Sequence, residues 1–268
     1  GASSALGGLS APLALLLTLR TNAALGRLNE VRLAWGRLVL YARSITALLR
    51  TYVLPIHPEA AILAARHVAI FGWLLKSACR GEDRFRELEV MNAILDNDDE
   101  YWWLASHPKT MWGTTLRLRQ IVAAVAEHEQ PNDGFLVQHQ LLEQSIANME
   151  VVAGVCERIL ASPIPPTYSR HLSRVLMVWL SILPFGLIGS GVPILATIFA
   201  SAFTSYVLVG LDELTMEIEY PFPLLPLQQL AAAVHKGVGM QLIDNEGTGE
   251  DISRNKFHEM PQVPLRGR

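Results

Sequence analysis

The chain alternates long apolar stretches with a polar region whose pattern is helical. No Asp, Glu, Lys, Arg or His occurs from Gly1 to Leu19, and none occurs from Val175 to Leu211. As one straight helix the second stretch would be about 55 Å long at ~1.5 Å per residue, whereas the hydrocarbon core of a bilayer is ~30 Å thick. We therefore predict one membrane-spanning helix within residues 1–19 and two crossings within residues 175–211.

The apolar stretch of residues 175–211 contains residues that break helices at its centre. Its middle reads LPFGLIGSGVPIL, and proline and glycine are the residues that turn or kink a helix. The pattern thus predicts a transmembrane helical hairpin. A buried hairpin in a soluble core is the alternative, although soluble helices rarely continue this long without a charge. The helix-breaking residues are Pro184, Gly186, Gly189, Gly191 and Pro193.

The polar region between the apolar stretches, residues 20–174, is predicted to be entirely helical. Its apolar positions recur every three or four residues, as at Leu136, Leu141, Ile146 and Met149, and strand-like alternation is absent. Four segments rich in turn-forming residues divide this region into helices. They are residues 54–60, 79–83, 105–110 and 129–134.

The arginines indicate on which side of the membrane the polar parts lie. Six arginines between Arg20 and Arg50 follow the first apolar stretch directly. By the positive-inside rule this side is cytosolic, or stromal if the membrane is a thylakoid. A hairpin at residues 175–211 returns the chain to the same side, so residues 212–268 are expected there too. Their last part, from Asp244, is polar and unperiodic, and we expect it to be extended.

The composition fits a membrane protein with a sizeable polar part. Of the 268 residues, 50% are hydrophobic and 18% are charged, with a net charge of −3. The mean hydropathy of +0.26 is high for a soluble protein and low for a transporter that lies mostly inside the membrane. The basic residues form no tail or patch, so a nucleic-acid partner is not expected.

No motif in the sequence indicates an enzyme, a cofactor or a metal site. A Walker loop, GxSxG, HExxH and paired Cys/His spacing are all missing. We predict that Cys79 and Cys156 are buried free thiols and that His67 is a hydrogen-bonded core or interface residue. The contiguous acids of residues 95–103 are typical of an acidic helix start rather than of a calcium loop.

The first apolar stretch places aliphatic side chains four residues apart. Ala11, Leu15 and Leu19 would lie on one slowly drifting face of a helix. Such spacing usually reflects packing, and it also suits the lining of an apolar pore. Pro12 is harmless if a helix starts or bends at that point.

Three motifs, in order along the chain, resemble the bestrophin family of anion channels, in particular its bacterial and chloroplast branch. LLLTLRTNAALGRLNEVRLAWGRL (Leu15–Leu38) resembles the pore helix of that family. CERILASPIPPTYSRHLSRVLMVWLSILPF (Cys156–Phe185) is similar to the start of its third span, and DELTMEIEYPFPLLPL (Asp212–Leu227) to the exit from its fourth. Together the matches extend over nearly the whole chain up to residue 230.

The resemblance implies a helical homopentamer in a membrane, with four spans per subunit around one central pore. The first span would precede Gly1, which leaves residues 1–19 as the pore-lining span. The hydrophobic neck of the pore would fall on Ala11, Leu15 and Leu19, and a wider cytosolic aperture near Val137. The resemblance to thylakoid chloride channels further implies a multi-pass protein of the chloroplast thylakoid membrane.

Two departures from the family pattern affect what we expect. The neck of the family is often lined by Ile and Phe, whereas this chain offers Ala and Leu. The acidic calcium clasp of animal members is absent, because PLLPLQQL follows Phe222, and activation by calcium is therefore not expected. The charged residues around the exit of the spans are expected to form ion pairs or to take part in gating. They are Arg20, Arg27, Asp212, Glu213, Glu217 and Glu219.

The sequence therefore predicts an all-α integral membrane protein that conducts chloride passively through a hydrophobic neck. Its domains would be a pore-lining span (1–19), a cytosolic or stromal helical region (20–174), a transmembrane hairpin (175–211) and a C-terminal segment wrapping the oligomer (212–268). Its partners would be anions, membrane lipid and further copies of the chain. Two alternatives stay open: a bicarbonate-conducting thylakoid channel, and a non-conducting membrane scaffold or accessory subunit with the same fold.

Overall fold

The computed structural model describes residues 2–128 and 133–242, and the side chains of residues 10–127 and 136–242 within them. The predicted turn at residues 129–134 falls largely in the gap, and the predicted extended segment from Asp244 lies outside the described residues. Throughout the described part all regular secondary structure is helical. The predicted all-α class is confirmed.

The helices follow one another with short connections. A π-helical turn at Leu49–Val53 directly follows the first helix. The ten α-helices of the described residues are α1 (Ala2–Leu48), α2 (Pro58–Arg80), α3 (Arg84–Ile94), α4 (Asp98–Ser106), α5 (Thr110–His128), α6 (Asp133–Ala161), α7 (Pro166–Gly189), α8 (Ile194–Glu219), α9 (Pro221–Leu224) and α10 (Leu227–Leu242).

The ends of the helices have local causes in the sequence. Gly81 ends α2 in the left-handed conformation, at φ 61°, which glycine adopts without a steric penalty. Asn97 caps α4, because its side chain accepts a hydrogen bond of 2.9 Å from the backbone N–H of Asp99. Between α7 and α8 the chain turns at Ser190–Pro193, with Gly191 at φ 84°. Pro184 lies inside α7 without ending it.

The chain divides into two compact units. One comprises α1 as far as Arg32 together with Arg158–Leu225, and the other comprises Leu33–Glu157 and the chain from Pro226 onward. In the first unit, which we call the hairpin unit, α7 and α8 pack on each other. Leucines of α1 and α7 form its buried cluster, namely Leu13, Leu17, Leu172, Leu176 and Leu180.

The second unit, which we call the helical unit, is built around α2. This helix packs against α3, α5 and α10, and fifteen of its residues are buried. At Gly72 the backbone of α2 comes close to α10, since an added Cβ would lie 3.3 Å from Cβ of Val234. Other large side chains of the unit, including Trp35, Phe71 and Met91, are fully buried. The unit therefore has a hydrophobic core of its own.

Three helices of the described part are long and apolar enough to cross a membrane by length and composition. Inside the protein, 78% of the apolar window of α2 is buried, against 22% for α7 and 6% for α8. Because α2 is covered by its neighbours in the helical unit, it is a core helix of that unit. The apolar faces of α7 and α8, with Phe199, Phe203 and Tyr206 at least two-thirds exposed, are bare within one protomer.

Candidate pore helix and its ion-pair network

Helix α1 has two faces of opposite environment in the hairpin unit. On one face Leu13, Leu17 and Arg20 are buried, with exposed fractions between 1% and 5%. On the other face Leu15 and Leu19 are 59% and 54% exposed. Steps of three or four residues within each set keep it on its own side of the helix. The inner face therefore anchors the helix to its own unit, while Leu15 and Leu19 on the outer face stay more than half exposed.

The three residues predicted for the neck lie together on the outer face. Ala11, Leu15 and Leu19 are all exposed, and none of them packs into the leucine cluster of the hairpin unit. Apolar side chains exposed in such a row require another apolar surface, a lipid or an assembly that brings copies together. Val137, predicted for the second aperture, is 58% exposed on α6 and belongs to the helical unit.

Arg20 lies at the centre of a buried ion-pair network that joins α1 to α8. Its guanidinium donates from Nη1 to Oδ1 of Asp212 at 2.5 Å and from Nε to Oε1 of Glu219 at 2.7 Å. The side chain of Arg20 is wholly buried, and those of Asp212 and Glu219 are 12% and 8% exposed. Asp212 and Glu219 are two helical turns apart, so both carboxylates face α1 from the same side of α8.

Hydroxyl groups add further hydrogen bonds to this network, although the buried Nη2 of Arg20 has no partner among the described residues. On α7, Ser173 donates to Oδ2 of Asp212 at 2.7 Å, and Ser169 donates to Oε1 of Glu219 at 2.9 Å. The hydroxyl groups of Thr21 and Thr215 lie 3.1 Å apart and link α1 to α8 once more. Buried charges are tolerated when they are paired and hydrogen-bonded. The network therefore holds three helices together directly beside Leu19.

The other charged residues predicted for this region do not join the network. Arg27 donates from Nη2 to the backbone carbonyl of Ser162 instead. Glu213 and Glu217 lie on the exposed side of α8. The structure therefore brings together three of the six predicted charged residues. Asp212 and Glu219, seven residues apart, share one face of α8, but Glu213 and Glu217, four apart, share another, so spacing alone does not select the pair.

A second buried charge cluster, in the helical unit, was not predicted from the sequence. Glu100 accepts hydrogen bonds from Nε of Arg117 at 2.8 and 3.1 Å, and Nε2 of His67 lies 3.4 Å from its carboxylate. The proximity of His67 and, after it, the hydrogen bonds with Arg117 outweigh burial and lower the pKa of Glu100 to about 2. The cluster links α2, α4 and α5. His67 lies in the core as predicted, but neither of its ring nitrogens makes the predicted hydrogen bond.

The two cysteines are free and buried, as predicted, and they are also neighbours. Cys79 on α2 and Cys156 on α6 lie side by side, and the neighbouring thiol together with burial raises the pKa of Cys79. Their separation of more than seventy residues in the sequence gives no sign of this contact. The described residues contain no cluster of three or more His, Cys, Asp or Glu side chains that could hold a metal ion.

Two long apolar helices with bare faces, joined to a third helix by a buried ion-pair network, define an all-helical membrane protein. The family follows from comparison with known sequences. The chain belongs to the bestrophin family, because the family model described as Bacterial/Fungal Bestrophin protein matches residues 2–239.

Relatives of the chain include named anion channels. It is 29% identical over 259 residues to Voltage-dependent chloride channel 1, chloroplastic, of Arabidopsis thaliana. The aligned region covers 94% of this chain and 59% of that protein. It is 30% identical over 217 residues to Voltage-dependent anion channel-forming protein alr2987 of Nostoc. The aligned region covers 78% of this chain and 66% of that protein. The chain thus spans between 59% and 66% of the length of these two relatives.

Solved structures share the fold. A bacterial bestrophin homologue from Klebsiella pneumoniae superposes with a TM-score of 0.80 at 24% identity, over 89% of this chain and 86% of that one. At this identity the likeness establishes the fold alone. The predicted membership of the bestrophin family and the bestrophin-type fold are confirmed.

Proposed function

We propose that the chain is a subunit of a passive anion channel whose neck is lined by Ala11, Leu15 and Leu19. One observation carries the proposal. These apolar side chains are exposed in register on α1, while the opposite face of the same helix is packed into the hairpin unit. A helix anchored on one side and apolar on the other is suited to line an axis shared with further copies. The anion-channel names of the relatives support the same function.

The mechanism rests on the apolar character of the neck. A narrow apolar ring excludes water when it is closed, and it conducts when it widens enough to hold a hydrated or partly hydrated ion. Because the neck carries no charge, it discriminates little beyond the cost of removing water from the ion. Weakly hydrated anions would therefore pass more easily than strongly hydrated ones, attracted by helix N-termini and polar groups elsewhere along the pore.

The ion-pair network of Arg20 fixes the helix that carries the neck. Arg20 directly follows Leu19, and its guanidinium is held by two carboxylates of α8. A shift of α1 along its axis would separate these charges inside a buried environment, which is costly. The network therefore acts as a positioning device for Leu19, and widening of the neck would require α1 and α8 to move together.

We further propose that five copies surround the pore, that a second aperture lies at Val137 and that chloride is the conducted ion. The protein would lie in a thylakoid membrane, with α7 and α8 as two of its crossings. Support for chloride and for this membrane comes from the chloroplast relative, which is named as a chloride channel. The network at the end of α8 and the length of the apolar faces of α7 and α8 support the hairpin as a transmembrane element.

The test is current through planar bilayers that contain the purified protein, with chloride, nitrate and bicarbonate compared. In the double variant Leu15→Ala and Leu19→Ala the apolar ring is shortened and widened, so single-channel conductance should rise or gating should be lost. Selectivity for anions over cations should change little. The double variant should lower the free energy of unfolding by less than the ~2–5 kcal/mol that truncating each buried leucine to alanine typically costs.

A matched control lies on the opposite face of the same helix. Leu13 and Leu17 are both 5% exposed, so Leu13→Ala with Leu17→Ala should lower the melting temperature without a gain in conductance. Wild-type protein that carries no current would contradict the channel. A different result would reverse the assignment of the two faces. If the Leu15 and Leu19 variant is less stable than the Leu13 and Leu17 variant and shows no rise in current, Leu15 and Leu19 are packed and do not line a pore.

A further inference from the structure

The exposed face of α1 continues beyond the neck as a row of uncharged polar positions. After Leu19 the next exposed residues in register are Asn22, Gly26 and Asn29, at steps of three, four and three. At 100° per residue these positions and the neck residues fall within an arc of about 80°. Asn22 stands ~4.5 Å along the helix axis from Leu19, and Asn29 lies ~10 Å further. The face that is apolar in the neck therefore becomes amide-lined immediately past it.

Between residues 20 and 30 of α1 the charged side chains already have partners, and the two arginines among them point away from the amide-lined face. Arg20 is buried between its two carboxylates on the opposite side of the helix. Arg27 donates to the carbonyl of Ser162, and Glu30 accepts from Arg158. Across the described residues, neither asparagine forms a hydrogen bond that would occupy its amide. Asn22 and Asn29 are thus the polar groups that this face offers.

Amide side chains suit a pathway that must both bind and release an anion. Each carboxamide presents two N–H donors without a net charge, so it can replace part of the water around an anion and yet hold it weakly. Gly26 lies between the two asparagines, and an added Cβ there would have no atom of its own chain within 4 Å, so this position adds no side chain to the face. In a symmetric assembly each asparagine is repeated once per subunit and forms a ring.

We propose that Asn22 and Asn29 form two amide rings beyond the neck that bind monovalent, weakly hydrated anions, such as halides and nitrate, and set the preference among them. The inference rests on the proposed function, since it needs α1 to line the pore. The amides are the first polar groups that an anion meets after the apolar ring. The amides bind the anion at the point where it regains the hydration that it partly lost in the neck.

The test replaces each amide by a carboxylate of nearly the same shape. Asn22→Asp and Asn29→Asp each place a ring of negative charge on the pathway, so chloride conductance in 0.1 M salt should fall by roughly tenfold or more. The loss should shrink in 1 M salt, where charges are screened.

Asn22→Ala keeps the pathway open and should change the nitrate-to-chloride permeability ratio. The matched control is Asn92→Asp, which makes the same change at an exposed position of α3 and should leave conductance unaltered.

The outcomes separate the inference from the proposed function. If wild-type protein conducts and the Leu15 and Leu19 variant gains current, but Asn22→Asp behaves like Asn92→Asp, the amide rings are wrong and the channel stands. If wild-type protein carries no current, the proposed function itself fails.

Should the Asp variants not assemble, Asn22→Cys is treated with a negatively charged methanethiosulfonate. The wild-type thiols, Cys79 and Cys156, are buried, so block of current in the variant alone supports the ring, and absence of block overturns it.

Discussion

At the scale of single residues, Arg20 is the fully buried cation that joins α1 to α8. One guanidinium meets the carboxylates of Asp212 and Glu219, and all three side chains are almost completely removed from solvent. Removing one member of a buried ion pair is far more costly than the pair is stabilising, because the remaining charges lose their compensation. The value of this network therefore lies in the fixed relation between α1 and α8 that it enforces.

We predict that Arg20→Met lowers the free energy of unfolding by about 3–5 kcal/mol, since it leaves two buried carboxylates without a cation. The triple variant that also carries Asp212→Asn and Glu219→Gln should recover part of this loss. The exposed pair of Arg158 and Glu30 provides the control, and Arg158→Met should cost less than about 1 kcal/mol. Melting temperatures in the same detergent measure all three. A melting temperature for Arg20→Met equal to that of Arg158→Met would contradict the role of the network.

The carboxylate of Glu100 makes the helical unit sensitive to acid. Its pKa is lowered to about 2, from an ordinary value near 4.5, by the proximity of His67 and then by hydrogen bonds with Arg117. A lowered folded-state pKa contributes stability above the unfolded pKa, and this stability is lost as the pH falls from 4.5 toward 2. We predict a decrease in melting temperature across this window that Glu100→Gln reduces. Glu89→Gln, at an exposed position of α3, should keep the wild-type pH profile, and a profile unchanged by Glu100→Gln would exclude this assignment.

At the scale of elements, periodicity and helix breakers predict most of the described helices. Helix-breaking residues lie at the ends of α2 and α7, and the repeat of apolar positions in residues 136–149 corresponds to α6. Composition alone does not tell a membrane span from a core helix. The apolar 18-residue segment of α2 has a mean hydropathy of 1.3 and that of α7 has 1.8. Nevertheless α2 is covered by protein and α7 is not. That difference depends on tertiary contacts, which a local pattern does not contain.

The candidate site divides in the same way. The four-residue spacing of Ala11, Leu15 and Leu19 is local, so the sequence alone predicts that they share a face. The pairing of Arg20 with Asp212 and Glu219 joins positions almost two hundred residues apart, and only the packing of α1 on α8 selects these acids over Glu213 and Glu217. Local patterns thus identify faces, whereas the choice among several acids on one helix depends on which of them the neighbouring helix covers.

A glycine in the left-handed conformation fixes the end of the core helix α2. We predict that Gly81→Ala destabilises the protein by about 1 kcal/mol, because φ 61° is strained for any residue with a Cβ while no neighbouring atom would clash. Gly239→Ala, inside α10 and equally free of clashes, should be neutral or slightly stabilising, since alanine favours helix over glycine. The difference between the two melting temperatures is the measurement. A variant at Gly81 as stable as that at Gly239 would show that the turn does not require the left-handed conformation.

At the scale of the whole molecule, the bare apolar faces require an environment that one protomer lacks. Leu15 and Leu19 on α1 are more than half exposed, as are Phe199 and Phe203 on α8. Lipid can cover the faces of α7 and α8, which are apolar along most of their length. The face of α1 changes from apolar to amide within one turn after Leu19, and a row that becomes polar so abruptly suits a water-filled axis better than a lipid boundary. An assembly around α1 gives both kinds of face their appropriate surroundings.

We predict that the protein purified in mild detergent is a ring of five copies, with a protein mass of five times 29.6 kDa, about 148 kDa. Native mass spectrometry measures the mass, and thiol cross-linking locates the axis. With Leu19→Cys, side chains from several subunits face one axis, so mild oxidation should link neighbouring subunits through disulfides. Leu17→Cys is the matched control, because Leu17 is 5% exposed and turned into its own protomer, and it should form no such links. A monomer or dimer by mass, or cross-linking at position 17 rather than 19, would show that α1 does not line a five-fold axis.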